Sequence, residues 1–300
     1  MFLRKALWAA GILSAALVAA PPSHAQGDYL DVYIAKVKPE KVPDAEAIMR
    51  KMADAERKNH GDPYITADTM YGEVGTYIFI SPRKDYADVD KGSAAFGGAL
   101  VKAFGQAGAD KLEADFLACL ISAHTELRHR RPDLSRKYPA DLDAYAKLVA
   151  STRVLRTTVV HVRPGHGAEF EAVLKEVKEA SEKNAAVQPN FVSTLSDGGS
   201  GGTYYLSALR SSLGGFDKNP SLQDILGEEG FAKLQKVLSE AASHTETIIY
   251  HYRPDLSNPL QAIADADPAF WNPKPAPAPK PKAAASDAAA KPAAKSDAKP

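Results

Sequence analysis

A chain of 300 residues with 37 acidic and 37 basic side chains has no net charge at neutral pH, so no global field draws it to nucleic acid or an acidic membrane. Its single cysteine, Cys119, excludes an intramolecular disulfide, and the fold must rest on an apolar core long enough for two ordinary domains. Cys119 itself falls on the apolar side of a predicted helix and reads as a small buried hydrophobe.

Residues 1–25 have the form of a secretory leader. Arg4 and Lys5 supply the positive start, Ala6 to Ala20 is an apolar run too short to span a bilayer comfortably, and Ser23-His24-Ala25 places small residues where a signal peptidase reads. The expectation is an exported protein, periplasmic or extracellular, with no integral membrane span in the mature chain. Residues 29–38 then alternate, with Leu30, Val32 and Ile34 on one face and Tyr33, Ala35 and Val37 on the other, as in a strand covered on both sides. A helix follows over about 44–58, striped by Ala45, Ile48, Met49 and Met52. Strands near 64–70 and 75–82 are joined through Gly72 and Gly75. Helical stretches broken at Gly105 and Gly108 lead to a last helix with Leu112, Phe116, Cys119 and Leu120 on one side. The run HTELRHRRPDLS, 124–135, is the final strand and its stop, since proline removes a ladder donor.

The same series then recurs. Arg131-Pro132-Asp133-Leu134-Ser135 returns as Arg253-Pro254-Asp255-Leu256-Ser257, Gly75-Thr76-Tyr77 as Gly202-Thr203-Tyr204, and Arg83 as Arg210. The helical stripe returns as Phe170, Val173, Leu174 and Val177. His124-Thr125-Glu126 matches His244-Thr245-Glu246 only after a further two-residue shift. Each half reads β-α-β-β-α-β, the ferredoxin-like order. The expected organisation is a leader (1–25), a first repeat (28–135), a linker (136–151), a second repeat (152–257) and a C-terminal segment (258–300). That segment ends in a disordered tail whose residues 272–300 hold six Lys and two Asp. The tail offers weak contact with an anionic envelope surface.

This element order, with the strand-turn-helix run Val160-His161-Val162-Arg163-Pro164-Gly165-His166-Gly167-Ala168-Glu169-Phe170, resembles the dimeric α/β-barrel superfamily, which includes the antibiotic-biosynthesis-monooxygenase-like proteins. The resemblance covers 28–135 and 152–257. It implies an α+β fold of two tandem ferredoxin-like repeats packed sheet to sheet as an intramolecular pseudo-dimer around a cavity. Activities in that superfamily include cofactor-free oxygenation and haem chemistry. No haem-binding motif of the tandem members can be matched here residue by residue, so no haem ligand is carried over.

Several residues carry possible chemistry. Gly198-Gly199-Ser200-Gly201-Gly202 fits G-x-S-x-G on paper, but a strand-like Thr203-Tyr204-Tyr205-Leu206 follows it, which indicates a hairpin rather than a nucleophile elbow. His124 and His129 are five apart and His244 and His251 seven, so neither pair shares a strand face and no metal site is expected. His124 with Glu126, and His244 with Glu246, are two apart and share one; a carboxylate beside an imidazole suits proton transfer. His161 adds a polar group to the matched first strand. Tyr33 is one of several strand tyrosines able to line a pocket. Arg83 and Arg210 end matched strands and could grip an anion. Two readings stand: a secreted protein binding a small organic ligand or a partner between its sheets, and an enzyme, either a cofactor-free monooxygenase or a haem-dependent oxidoreductase.

Overall fold

The computed structural model describes residues 27–272. The expected leader, and all of the Lys-rich tail except Asn272, lie outside the described residues. In chain order the elements are β1 (Tyr29–Val37), α1 (Val42–Asn59), β2 (Ile65–Tyr71), β3 (Thr76–Arg83), α2 (Tyr86–Ala118), β4 (Leu120–Arg130) and α3 (Leu142–Ala150). There follow β5 (Val154–Val162), α4 (Gly167–Glu182), β6 (Asn190–Asp197), β7 (Thr203–Arg210), α5 (Gly214–Asp217), α6 (Leu222–Ala241) and β8 (Ala242–Tyr252). Two short helices, α7 (Gln261–Ala266) and α8 (Pro268–Trp271), close the described chain.

The strands form a closed antiparallel barrel in the order β1-β3-β2-β8-β5-β7-β6-β4. The predicted alternation explains it. On β1, Leu30, Val32 and Ile34 lie opposite Pro82, Ile80 and Ile78 of β3 and face the interior with Leu155, Leu209 and Tyr250. Tyr33, Ala35 and Val37 face outward beneath α1 and α2, against Met49, Met52 and Phe116. The second half repeats this, with Val160, Val162 and Tyr204 beneath α4 and α6. The two four-stranded sheets therefore do more than face each other across a core. They are hydrogen-bonded at both edges, β2 to β8 and β4 to β6, so the barrel removes most of the bare edge each sheet has alone.

The recurring Arg-Pro-Asp-Leu-Ser segments stop their strands and also fasten the seams. Ser135 Oγ donates to Arg131 O (2.7 Å) and accepts from Val192 N–H (2.8 Å), in the other half. Ser257 Oγ donates to Arg253 O (2.7 Å) and accepts from Thr66 N–H (2.9 Å). Arg131 donates twice to Glu171 (2.6 and 2.8 Å), which also accepts from the Tyr204 hydroxyl (3.0 Å). Arg253 donates to Glu46 (2.6 Å), which accepts from the Tyr77 hydroxyl (2.9 Å). Each half thus grips the first helix of the other by the same chemistry.

Three sequence expectations need correction in detail. The linker is not a plain connection, because it carries α3, whose Ala146, Val149 and Ala150 plug one end of the barrel with Ile263, Ala264 and Trp271. The stretch α2 is broken at Gly105 as expected (φ 71°, ψ 165°), a positive φ that glycine adopts without a Cβ clash, but the second expected break, Gly108, is helical. Gly227 kinks α6 in the same way. The two His-Thr-Glu triplets are out of step: His124 lies opposite Ile34 and Glu246 opposite Val159, so His124 occupies the place of Glu246 rather than of His244.

Candidate functional site

The period-two pattern of β4 sends one set of side chains inward. Glu126 lies opposite Val32 and Arg128 opposite Leu30, both interior residues, so His124, Glu126, Arg128 and Arg130 all lie on the interior face. From β7, Tyr205 meets them. Arg128 makes an ion pair with Glu126 (Nη2 to Oε2, 2.6 Å), and its guanidinium lies 3.6 Å from the centre of the Tyr205 ring. The Tyr205 hydroxyl donates to the same Glu126 oxygen (2.8 Å). His124 Nε2 stands 3.4 Å from the other oxygen. His124 is half exposed and Tyr205 is buried, so the group forms a polar chain from the open mouth of the barrel inward. Burial raises the Tyr205 phenol well above its ordinary value, with the Glu126 carboxylate adding to the shift, so Tyr205 stays a neutral hydrogen-bond donor.

Below this chain the barrel encloses a cavity of about 110 Å³. Its walls are apolar, including Leu30, Val32, Ile78, Ile80, Leu155 and Leu209. Arg128 and Tyr205 border it on the mouth side. At the plugged end Tyr138 and Arg130 border it, and Arg130 donates to the Tyr145 hydroxyl (3.3 Å). The paired hydroxyls of Thr157 and Ser207 (3.1 Å apart) face it from the wall. Apolar walls with a few convergent polar groups are the usual make-up of a small-molecule site. The volume is below the ~300 Å³ at which drug-sized pockets begin and near that of cavities that take up a single benzene-sized ring.

No protein-family model matches the sequence, and a search of curated proteins finds no match. Solved structures do match. A protein of Fusobacterium nucleatum, provisionally assigned as a monooxygenase, is 11% identical over 75% of this chain and 92% of its own, with a TM-score of 0.50. An anthrone oxidase-like protein is 14% identical over 77% of this chain and 93% of its own, also with a TM-score of 0.50. A chlorite dismutase of Candidatus Nitrospira defluvii overlaps less closely, at 9% identity over 81% and 96%, with a TM-score of 0.45. The first two matches, with the closed barrel, decide the architecture.

The chain has the dimeric α/β-barrel fold.

In this dimeric α/β barrel the sequence-derived candidates separate into three places. His124 and Glu126 belong to the inward polar chain. His161, His244 and Glu246 lie elsewhere on the interior face, Glu246 at the level of His124; the rings of His161 and His244 stack with centroids 5.7 Å apart, and His161 Nδ1 is 3.0 Å from Thr203 Oγ1. Tyr33, Arg83 and Arg210 lie on the outer side of the wall. Tyr33 packs against Phe79 under the helices, and Arg83 makes a buried ion pair with Asp62 (2.6 Å). Arg128 received no role from the sequence, and Tyr205 stood there only as one of several strand tyrosines able to line a pocket. The signal was present in Glu126, Arg128 and Arg130, which continue the two-residue spacing of His124 and Glu126.

The enclosed cavity does not fit haem. The cavity is far smaller than a porphyrin, and its lining holds no histidine, cysteine or methionine to bind iron. Tyrosine is the remaining ligand type in the lining; of these, Tyr205 is committed to Glu126 and Tyr145 accepts from Arg130. Among the described residues, no group of three or more His, Cys, Asp or Glu side chains is placed to hold a metal ion, and no helix is long and apolar enough to cross a membrane.

Proposed function

We propose that this barrel binds a small organic molecule, about one aromatic ring in size and carrying an oxygen function, inside the lumen. The observation that carries this reading is the apolar cavity bordered by the Glu126–Arg128–Tyr205 cluster. The apolar walls would take the ring. Arg128 would donate to the oxygen, and the Tyr205 oxygen, whose own proton goes to Glu126, would accept from a ligand hydroxyl. The two halves act together as a tandem-repeat pseudo-dimer, a reading supported by the reciprocal Arg131–Glu171 and Arg253–Glu46 pairs. The leader-like residues 1–25 support export to the periplasm or beyond, and the lysines after Asn272 support weak contact with an anionic envelope.

Titration of the full chain with phenol and hydroquinone, followed by calorimetry and thermal unfolding, tests the binding. Saturable binding with a rise in Tm is expected. Val159→Phe, which fills the lumen, should abolish it while the protein stays folded, and Arg128→Met should weaken it about tenfold or more, the loss of one charge-assisted hydrogen bond. Unchanged binding in Val159→Phe places the ligand elsewhere and ends the proposal.

A second reading, a cofactor-free oxygenase, draws on the His124–Glu126–Tyr205 chain. A half-exposed imidazole linked through a carboxylate to a buried phenol is a route for a proton between solvent and a lumen ligand. Oxygen uptake with hydroquinone that falls at least tenfold in Tyr205→Phe supports it. Binding without uptake leaves the carrier reading alone.

A further inference from the structure

The two halves treat one matched arginine in opposite ways. Arg83 ends β3 opposite Tyr29, and Arg210 ends β7 opposite Val154. Both side chains are about 95% buried. Around Arg83 the protein supplies two acids, Asp62 (2.6 Å to each of two nitrogens) and Asp31 (3.2 Å). Around Arg210 it supplies none. Asp31, opposite Ser81 in the ladder, is matched by Arg156 opposite Ala208. The segment 183–189, which takes the place of the Asp62 loop, contains no acid. Arg136, bridged to Asn190 beside it, adds a third cation.

Among the described residues none of these three arginines makes an ion pair, and neither Arg136 nor Arg156 spends its guanidinium on a hydrogen bond. Arg210 is held by the carbonyls of Pro189 (2.9 Å) and Leu209 (2.8 Å), while its Nε is buried without a partner. Phe216 of the covering turn lies against two of them, its ring centre 4.4 Å from the Arg156 guanidinium carbon and 5.5 Å from that of Arg210. Asp217, on the same turn, makes no ion pair with any of them. Burial, then the charges of Arg156 and Arg136, pushes Arg210 down to about 10, so the cluster keeps its charge at neutral pH. Three mutually repelling cations beside one another are costly unless something negative joins them. Stacking on Phe216 also leaves the edge of Arg156 free to donate.

We propose that Arg136, Arg156 and Arg210 form a binding site for an oxyanion, the phosphate or carboxylate group of a small molecule, on the outer face of the second half. Arg156 is the exposed entrance and Arg210 the fixed charge beneath. Planar guanidinium groups suit both anions, since each presents paired donors to paired oxygens. The site lies on the far side of the barrel wall from the lumen and does not depend on what the lumen binds.

The test is calorimetric titration of the full chain with pyrophosphate and with citrate at low ionic strength, against sodium chloride of equal ionic strength. Saturable binding at one site is expected for at least one of the two, and their ratio distinguishes a phosphate from a carboxylate ligand. Arg156→Asp rebuilds the arrangement around Arg83. It should weaken binding at least tenfold and raise Tm in the absence of anion, because Arg210 gains a counter-ion. Arg156→Gln, which adds no new pair, should weaken binding with little change in Tm and serves if the aspartate variant does not fold. Binding no tighter than that of chloride, or equal binding by wild type and both variants, overturns the proposal.

Discussion

Glu56 has no solvent-exposed surface, and one of its two carboxylate oxygens has no partner. The other accepts from Asp62 N–H (2.8 Å), and the chain at Gly61 comes so close that a Cβ there would stand 1.8 Å from it. Burial, helped by the nearby Asp62 charge, raises this carboxyl from 4.5 to about 8. The native protein therefore keeps a proton that the unfolded chain has lost. Its stabilising effect is full below pH 4.5 and is lost as the pH rises through about 8, by on the order of 5 kcal/mol. Urea midpoints measured from pH 5 to 8 should fall in the wild type and stay nearly flat in Glu56→Gln. Glu46 acts in the opposite direction. The hydrogen bond from Arg253, with those of Tyr77 and Arg50, lowers it to about 2 against the cost of burial. Its contribution is present above pH 4.5 and lost as the pH falls towards 2. Acid unfolding of Glu46→Gln should accordingly lack the wild-type slope in that window, starting from a lower plateau. The sequence showed His124 and Glu126 on one strand face but not which face lined the lumen. That is why Tyr33, on the other apolar face of β1, entered the candidate set although it packs under helices.

Among the elements, the strands and the two stripe-bearing helices were legible because their periods of two and 3.6 are direct consequences of backbone geometry. The β2 and β3 boundaries came within one residue of the expected strands, and α1 is two residues longer at its start. The plug was not legible. α3 has nine residues and lies in the segment expected to be a linker, while α8 is a single turn. Nothing in their composition separates such pieces from a linker; only the open end of a barrel gives them a partner. Trp271 shows their weight. It is fully buried, its indole N–H donates to Ala150 O (3.1 Å), and its ring lies 6.0 Å from that of Tyr252. Trp271→Ala should lower stability by about 3–5 kcal/mol, the usual cost of removing a buried aromatic. Chemical denaturation reads it directly, and a loss below 1 kcal/mol would mean that the plug is dispensable.

For the whole molecule, the repeat in the sequence indicated two halves, and their apolar inner faces indicated that each needs a cover. The edge-to-edge closure was less visible, because hydrogen-bonded seams are made by backbone groups that every residue carries. The seams set an expectation for the isolated first half. Residues 28–135 would expose Leu30, Val32, Ile34, Ile78 and Ile80 together with the free edges of β2 and β4. Sedimentation should find this fragment self-associated or unfolded; a cooperative monomer would mean that the lumen is not shared.

The two seams also differ in how far along the chain they reach. The Ser135–Val192 bond joins residues 57 apart, whereas the Ser257–Thr66 bond joins residues 191 apart. Closing a longer loop costs more entropy and takes longer. A chain made from its amino terminus has the parts for the β4–β6 seam by Asp197, but β2 must wait for β8, the last of the eight barrel strands. Until then the nascent protein is an open curved sheet with two bare edges, β2 and β5, and an uncovered apolar trough, the kind of intermediate that misassembles. Barrel completion therefore waits for β8, and the second Arg-Pro-Asp-Leu-Ser segment is the latch that fastens it.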